Sequence, residues 1–407
     1  MLKRSLLKNI LYTIGFVLIL YACNDASSHT EKKPEPEDSL QYYPATPKPL
    51  DKQVYRHYYR TLTSFFDSLL IRRGFNGGIL VAKEGSIIYE KYVGFHDLRK
   101  KDPLTDTSTF HIASTSKTFM GIAVLRLVQE KKLSLQDSIQ TFFPGLPYPG
   151  ITVKMLLDHR SGLPNYLYFI TNKNWDKNKM VTNVDVLNFL YTQHPNRSGS
   201  PNRGFSYCNT NFVLLALIVE KLTGQPYPQY MHQKYFAPLH MDHTFVFTLA
   251  DSARVSPSFN YNSTAWANDI FEGTYGDKNI YSTPQDLLKW DQALYTDQLI
   301  GKPLLDSAFT PNSNDRPSIH NYGLGFRMLM LHNGKKVIYH FGRWHGFNAA
   351  FARLIDEKVT IIILGNKFNR GIYNTAHKAY DLFGDYGQGG KQEEEEPETP
   401  VGKKKAN

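Results

Sequence analysis

The chain has 407 residues, 41% of them hydrophobic and 14% aromatic. That is ample for a large core, in one large domain or two intimate ones. The formal net charge is +10, but Lys and Arg are spread along the chain with no dense basic block beside aromatic residues, which argues against nucleic-acid binding.

Lys3, Arg4 and Lys8 form a positive start, and residues 10–20 form an apolar core too short for a membrane span. The core ends Leu20-Tyr21-Ala22-Cys23, which resembles a bacterial lipobox. Residues 1–22 are therefore read as a lipoprotein signal peptide, with cleavage before Cys23 and a lipid on its thiol. The expected location is the bacterial cell envelope, with the membrane as a partner through that anchor. An ordinary signal peptide with an incidental Cys is the alternative. Only Cys208 then remains, so no intramolecular disulfide can form. Residues 23–54, with five prolines between 34 and 49, read as a disordered tether.

A helical pattern runs over 55–71, with Leu62, Phe65, Phe66, Leu69 and Leu70 on one side and Gly74 as its stop. Strands follow at 78–82 and 86–93, split by the turn residues Lys83-Glu84-Gly85. The region from about 114 to 300 has weak strand signals but helical runs at 153–159, 184–191, 211–222 and 283–295. Thr283-Pro284 starts the last of these as N-cap and first-turn proline. Strand patterns return at 327–331 and 335–340 around Asn333-Gly334, a strong hairpin signal, and at 347–355 and 359–364. A helix is expected near 372–383, and 387–407 reads as a disordered charged tail.

The expected fold is α/β (α+β): an antiparallel sheet of about five strands flanked by terminal helices, in a domain over 55–386. An all-helical subdomain, roughly 114–300, is inserted into it. The cleft between the two parts is the default site, lined by the Asn-, Tyr- and Trp-rich loops 165–182 and 257–280.

The stretch from His111 to Phe119 ends a polar loop and opens a helix that is apolar almost all round, hence buried. Ser114 falls at or near its N-terminus, where unpaired N–H groups and the helix dipole favour an anion. Lys117 lies one turn on, and burial would disfavour its charge and let it take a serine proton. This S-x-x-K pattern is weak alone, since Ser5 and Lys8 repeat it in the leader. A helix N-cap with a solvated Lys is the structural alternative. Three more segments accompany it: Tyr207-Cys208-Asn209 before a helix, His340-Phe341-Gly342 ending a strand, and the run from Leu156 to Pro164.

With Ser114-Thr115-Ser116-Lys117, Tyr207-Cys208-Asn209 and His340-Phe341-Gly342 in that order, the chain resembles the serine β-lactamase / D,D-peptidase superfamily, nearest its class C-like branch. The flanks at 78–85, 156–164 and 280–284 look like that family too, and the resemblance covers about 55–385. It implies a β-lactamase/transpeptidase-like fold and a serine hydrolase working through an acyl-enzyme without a cofactor. The substrate would be a small amide or ester, with a D-amino-acid peptide as the leading class. Ser114 would be the nucleophile and Lys117 its activator. Tyr207 would be the proton relay, and Asn209 a partner of Lys117 or of the substrate amide. His340 would be a donor near Tyr207, and the N–H groups of Ser114 and of Arg343, after Gly342, would form the oxyanion hole. Arg343 or His345 would grip a substrate carboxylate, with a solvated rim residue as the alternative. His332-Asn333-Gly334 also matches H-x-G but falls in a turn, and the His residues form no metal pattern.

Two departures matter. His340 replaces the Lys of typical β-lactamases, which leans toward peptidase or esterase activity. The run 273–281, Gly-Thr-Tyr-Gly-Asp-Lys-Asn-Ile-Tyr, lacks the double glycine common before Tyr-Ser-Thr in relatives, which leaves the loop geometry there open. A class C-like β-lactamase is the alternative enzyme, and a catalytically silent ligand-binding lipoprotein is the alternative of another class.

Overall fold

A computed structural model describes residues 47, 49–171 and 175–387. The leader, Cys23, most of the tether and nearly all of the charged tail lie outside them. The helix α1 (Lys52–Leu69) opens the described fold. It starts three residues before the expected 55, because the Asp51 carboxylate accepts from the N–H groups of Gln53 and Val54 and caps it. Strands β1 (Gly77–Lys83) and β2 (Ser86–Val93) follow. The principal helices of the middle region are α2 (Ser116–Gln129), α3 (Asn183–Gln193), α4 (Asn209–Thr223) and α5 (Pro284–Ala293). The chain returns through β3 (His320–Tyr322), β4 (Arg327–Met330), β5 (Lys336–Trp344), β6 (Phe347–Leu354) and β7 (Val359–Gly365), and closes with α6 (Gly371–Tyr380).

The seven strands form one antiparallel sheet in the order β2-β1-β7-β6-β5-β4-β3. It is wider than the five or so expected. The unexpected edge strand β3 is three residues long and carries no alternating apolar pattern, so periodicity could not reveal it. The two ends of the chain meet at the centre, where Gly77 pairs with Gly365 and Lys83 with Val359.

Strand alternation sorts the core. Ile79 and Val81 of β1 and Ile361 and Ile363 of β7 pack with Leu62 and Phe66 of α1 and with Ile372, Ala376 and Tyr380 of α6. Their neighbours Leu80, Ala82, Ile362 and Leu364 point the other way, against Phe119, Ile122 and Ala123 of α2 and Trp290 of α5. Each such aliphatic side chain contributes roughly 1.5–3 kcal/mol by leaving water. A buried Arg353–Asp291 pair, with Thr360 also donating to Asp291, ties α5 to β6 and β7.

The middle region is not wholly helical as expected. Phe110–His111, Ile280–Ser282 and Phe245–Val246 form a small three-stranded sheet. Segments of two or three residues are too short to show a period. No helix of the described residues is long and apolar enough to cross a membrane.

Candidate active site

Ser114 sits in a single 3-10 turn, Ala113–Thr115, that leads directly into α2. Ala113 adopts a left-handed φ of 49°, rare for a residue with a Cβ. Its N–H donates to His111 Nδ1 at 3.0 Å, and the Ile112 N–H donates to the Ile280 carbonyl at 2.9 Å. These bonds, with the buried apolar helix behind, hold the tight turn in place. β5 lies against it. A Cβ on Gly342 would stand 2.3 Å from the Ile112 carbonyl oxygen and 2.8 Å from the Ser114 nitrogen, so only glycine allows the approach. Thr115 Oγ1 donates to the His340 carbonyl at 3.1 Å and joins turn to strand.

Lys117 is fully buried, and three acceptors surround its ammonium: Ser114 Oγ at 3.1 Å, Asn209 Oδ1 at 2.8 Å and the Asp277 carbonyl at 2.8 Å. Tyr207 donates to Ser114 Oγ at 2.9 Å, and its ring lies 4.9 Å from Lys117 Nζ. Lys117, one helical turn on, and Tyr207, from a distant loop, thus both reach the one hydroxyl.

The Tyr207–Asn209 loop is held by the run that ends in Pro164. The Cys208 N–H donates to His159 Nδ1 at 3.1 Å, and Ser161 Oγ donates to Asn211 Oδ1 at 2.6 Å. The His159 ring lies 4.3 Å from that of Tyr207. Burial, reinforced by the nearby charges of Lys117 and Arg327, pushes His159 well below its ordinary range, so it stays a neutral acceptor. Cys208 is a buried packing residue, its thiol pushed up to about 11 by burial.

His340 lies beside the site, but its ring does not offer the expected donor. Its Nδ1 bonds the Phe341 carbonyl at 2.7 Å and therefore carries the hydrogen. Its Nε2 then accepts from the Tyr322 hydroxyl at 3.1 Å. Burial, with help from Arg327 and Lys117, drives it well below the usual histidine range. Its contacts with Tyr322 and Thr115 make it a brace. Arg327, on β4, lies 5.2 Å from the Tyr207 ring and brings a second cation to it.

Ser114 also lines a cavity of about 10 Å³, walled besides by Leu167, Asn209, Asp277, Lys278, Arg343 and Trp344. The loops expected to line the cleft supply Leu167, Asp277 and Lys278, although Tyr166–Phe169 forms a short helix. Asn279 stands at φ 72°, a left-handed position that glycine would fill in a double-glycine turn, and its Oδ1 bonds His111 Nε2 at 2.7 Å. Arg343 thus reaches the site, while His345 is engaged elsewhere. His345 Nε2 lies 2.9 Å from Glu272 Oε1 and 3.5 Å from Asp269 Oδ2. Burial works to raise the Glu272 carboxyl, but the His345 hydrogen bond and neighbouring charges hold it below its ordinary value. Asp269, Glu272 and His345 are the one group of possible metal ligands among the described residues, with ligand atoms within 4.8 Å. In the structure they pair with one another. His332–Gly334 forms the β4–β5 turn, closed by the Gly334 N–H on the Leu331 carbonyl.

Sequence reasoning assigned no role to His159, Arg327, Tyr322 or Asp277. His159 falls inside a motif that was noticed, so its burial could have been suspected. Arg327 and Tyr322 sit on strands with no motif, and Asp277 contributes its backbone oxygen, which any residue type would supply.

A serine before a buried helix, a lysine one turn on and a tyrosine on a separate loop, set beside an antiparallel sheet, are the groups that serine acyl transfer uses. Comparison agrees: the Beta-lactamase family model matches residues 62–383, so the chain belongs to that family and is a serine hydrolase of it. Penicillin-binding protein 4* of Bacillus subtilis is 32% identical over 378 residues, 87% of this chain and 80% of that one. Among solved structures, a penicillin binding protein from Bacillus halodurans matches with a TM-score of 0.67 and 22% identity, covering 79% of this chain and 98% of that one. D-amino acid amidase from Ochrobactrum anthropi matches with a TM-score of 0.66 and 22% identity, covering 79% and 99%. At that identity the structures speak for the fold.

Proposed function

We propose that the chain cleaves a small amide or ester through a covalent acyl-enzyme at Ser114, with D-amino-acid peptides of the cell wall as its substrate class. The carrying observation is that Ser114 Oγ is approached by both Lys117 Nζ, at 3.1 Å, and Tyr207 Oη, at 2.9 Å. Lys117 has three acceptors for its three hydrogens, which suits a charged ammonium. A charged Lys117 cannot accept the serine proton, so Tyr207 is the better base. In the structure the Tyr207 hydroxyl donates to Ser114 Oγ; to act as base it first gives up that hydrogen, and the cations of Lys117 and Arg327 beside its ring stabilise the phenolate that results. Tyr207 takes the Ser114 proton as Oγ attacks the carbonyl, then gives it to the leaving group. Water reverses the sequence and frees the acid. The N–H groups of Ser114 and Arg343 receive the oxyanion, each worth roughly 3 kcal/mol in such sites.

The names of the relatives support the substrate class, one a penicillin-binding protein and one a D-amino acid amidase. Lipidation at Cys23 would place the enzyme at the cell envelope, and Cys23→Ala should move it from the membrane to the soluble fraction.

The test is p-nitrophenyl ester turnover by the purified full chain against Ser114→Ala. Release that vanishes in the variant, followed by release of D-alanine from a D-alanyl-D-alanine peptide, supports the reading. Undiminished release from Ser114→Ala would sink it. Rapid cleavage of a chromogenic cephalosporin with no D-peptide cleavage would favour a β-lactamase instead.

A further inference from the structure

The cavity beside Ser114 is small for a substrate pocket. At about 10 Å³ it has room for roughly one water. Tyr207 must reach the leaving group to protonate it and does not wall this cavity, so the cavity is assigned to the acyl half.

Lys278 is one of the residues that wall this cavity, and it is buried. It is pinned on three sides. Nζ donates to the Tyr166 hydroxyl at 2.8 Å and to Thr274 Oγ1, and it lies 4.8 Å from the Trp344 ring. The Tyr166 hydroxyl is in turn 2.8 Å from Asp277 Oδ2, and the Asp277 carbonyl holds Lys117. Moving Lys278 aside would break these bonds in a dry environment, so substrate alone does not displace it cheaply.

We propose that Lys278 sets an upper size limit on the acyl group, admitting a side chain the size of a methyl and excluding larger ones. On the acyl-enzyme reading above, on which this rests, the preferred donors carry alanine-sized acyl side chains.

The test uses the full chain and p-nitrophenyl esters of increasing acyl size: acetate, propionate, butyrate and phenylacetate. In the wild type kcat/KM should drop sharply beyond propionate. Forcing extra methylenes into a packed site is costly, so Lys278→Ala should cut the preference for acetate over phenylacetate at least about fivefold. Lys278→Met keeps the bulk but loses the bonds that pin it, so its preference should fall between those of the wild type and Lys278→Ala. A wild type that takes phenylacetate as readily as acetate overturns the proposal. So does an unchanged preference in Lys278→Ala or, should that variant fail to fold, in Lys278→Met. Activity that survives Ser114→Ala would instead sink the acyl-enzyme reading, which keeps the two failures apart.

Discussion

The hydroxyl of Tyr207 lies 2.9 Å from Ser114 Oγ, although 93 residues separate the two along the chain. Removing that one atom isolates its role. Tyr207→Phe keeps the ring contacts with His159 and Lys117 and deletes the proton carrier. General acid–base groups contribute about 10²–10⁴-fold, so kcat/KM on an ester should fall by that much. The thermal melt should stay in place. Near-normal turnover in Tyr207→Phe would return the base role to Lys117.

His159→Asn tests the support behind Tyr207. Position 159 has φ 56°, which Asn tolerates, so the backbone need not change. The ring and its acceptor are lost, leaving the buried Cys208 N–H without its partner. An orphaned buried donor costs about 1–3 kcal/mol, and urea denaturation should show a loss of that order. The kinetic signature is a lower kcat with a smaller change in KM, because the loop that carries Tyr207 loosens. A variant equal to wild type in both measurements would remove His159 from the account.

Gly342→Ala should be severe for one methyl. The new Cβ would press on the Ile112 carbonyl and the Ser114 nitrogen, both backbone atoms. β5 or the Ser114 turn must then shift. Overpacking of this kind costs about 1–3 kcal/mol, and displaced oxyanion donors cost a further 10²–10³-fold in kcat. Combined melts and ester kinetics check both, and wild-type kcat would show that Gly342 is not needed for the geometry.

Stability should fall in mild acid. His111 is buried, and that burial, aided by the charges of Lys278 and His345, lowers it to about 4 from an ordinary 6.5. Between those values the unfolded chain binds a proton that the folded chain does not. Stability is therefore full above pH 6.5 and drains as pH falls toward 4. One such histidine accounts for roughly 3 kcal/mol by pH 4. His159 and His340, also held neutral by burial, act in the same direction. Urea midpoints measured from pH 7.5 to 4 should fall steadily, and His111→Phe should fall less steeply. A flat profile in the wild type would contradict neutral buried histidines.

Much of the fold could be read from local pattern. Apolar alternation and the Asn333-Gly334 turn announced the central strands, and Thr283-Pro284 announced α5, because each rests on interactions within a few residues. The edge strand β3 and the small three-stranded sheet could not be read that way. They are two or three residues long and exist only because a neighbour offers hydrogen bonds.

The site divides along the same line. Which residues carry reactive groups, and in what order, was already decided in the primary structure: Ser114 and Lys117 one helical turn apart, then Tyr207 and Asn209, then His340 and Gly342. What each group meets was decided only on folding. His340 looked like a donor to substrate, yet the Tyr322 hydroxyl and the Phe341 carbonyl occupy both its nitrogens. Arg327 carried no motif, yet pairing of β4 with β5 brings it to the Tyr207 ring. Lys278 carried no motif, yet it is buried against Tyr166 and Trp344 and walls the cavity beside Ser114. Local sequence sets the chemistry a side chain can perform, whereas partners distant along the chain set its protonation, its hydrogen bonds and the space left for substrate.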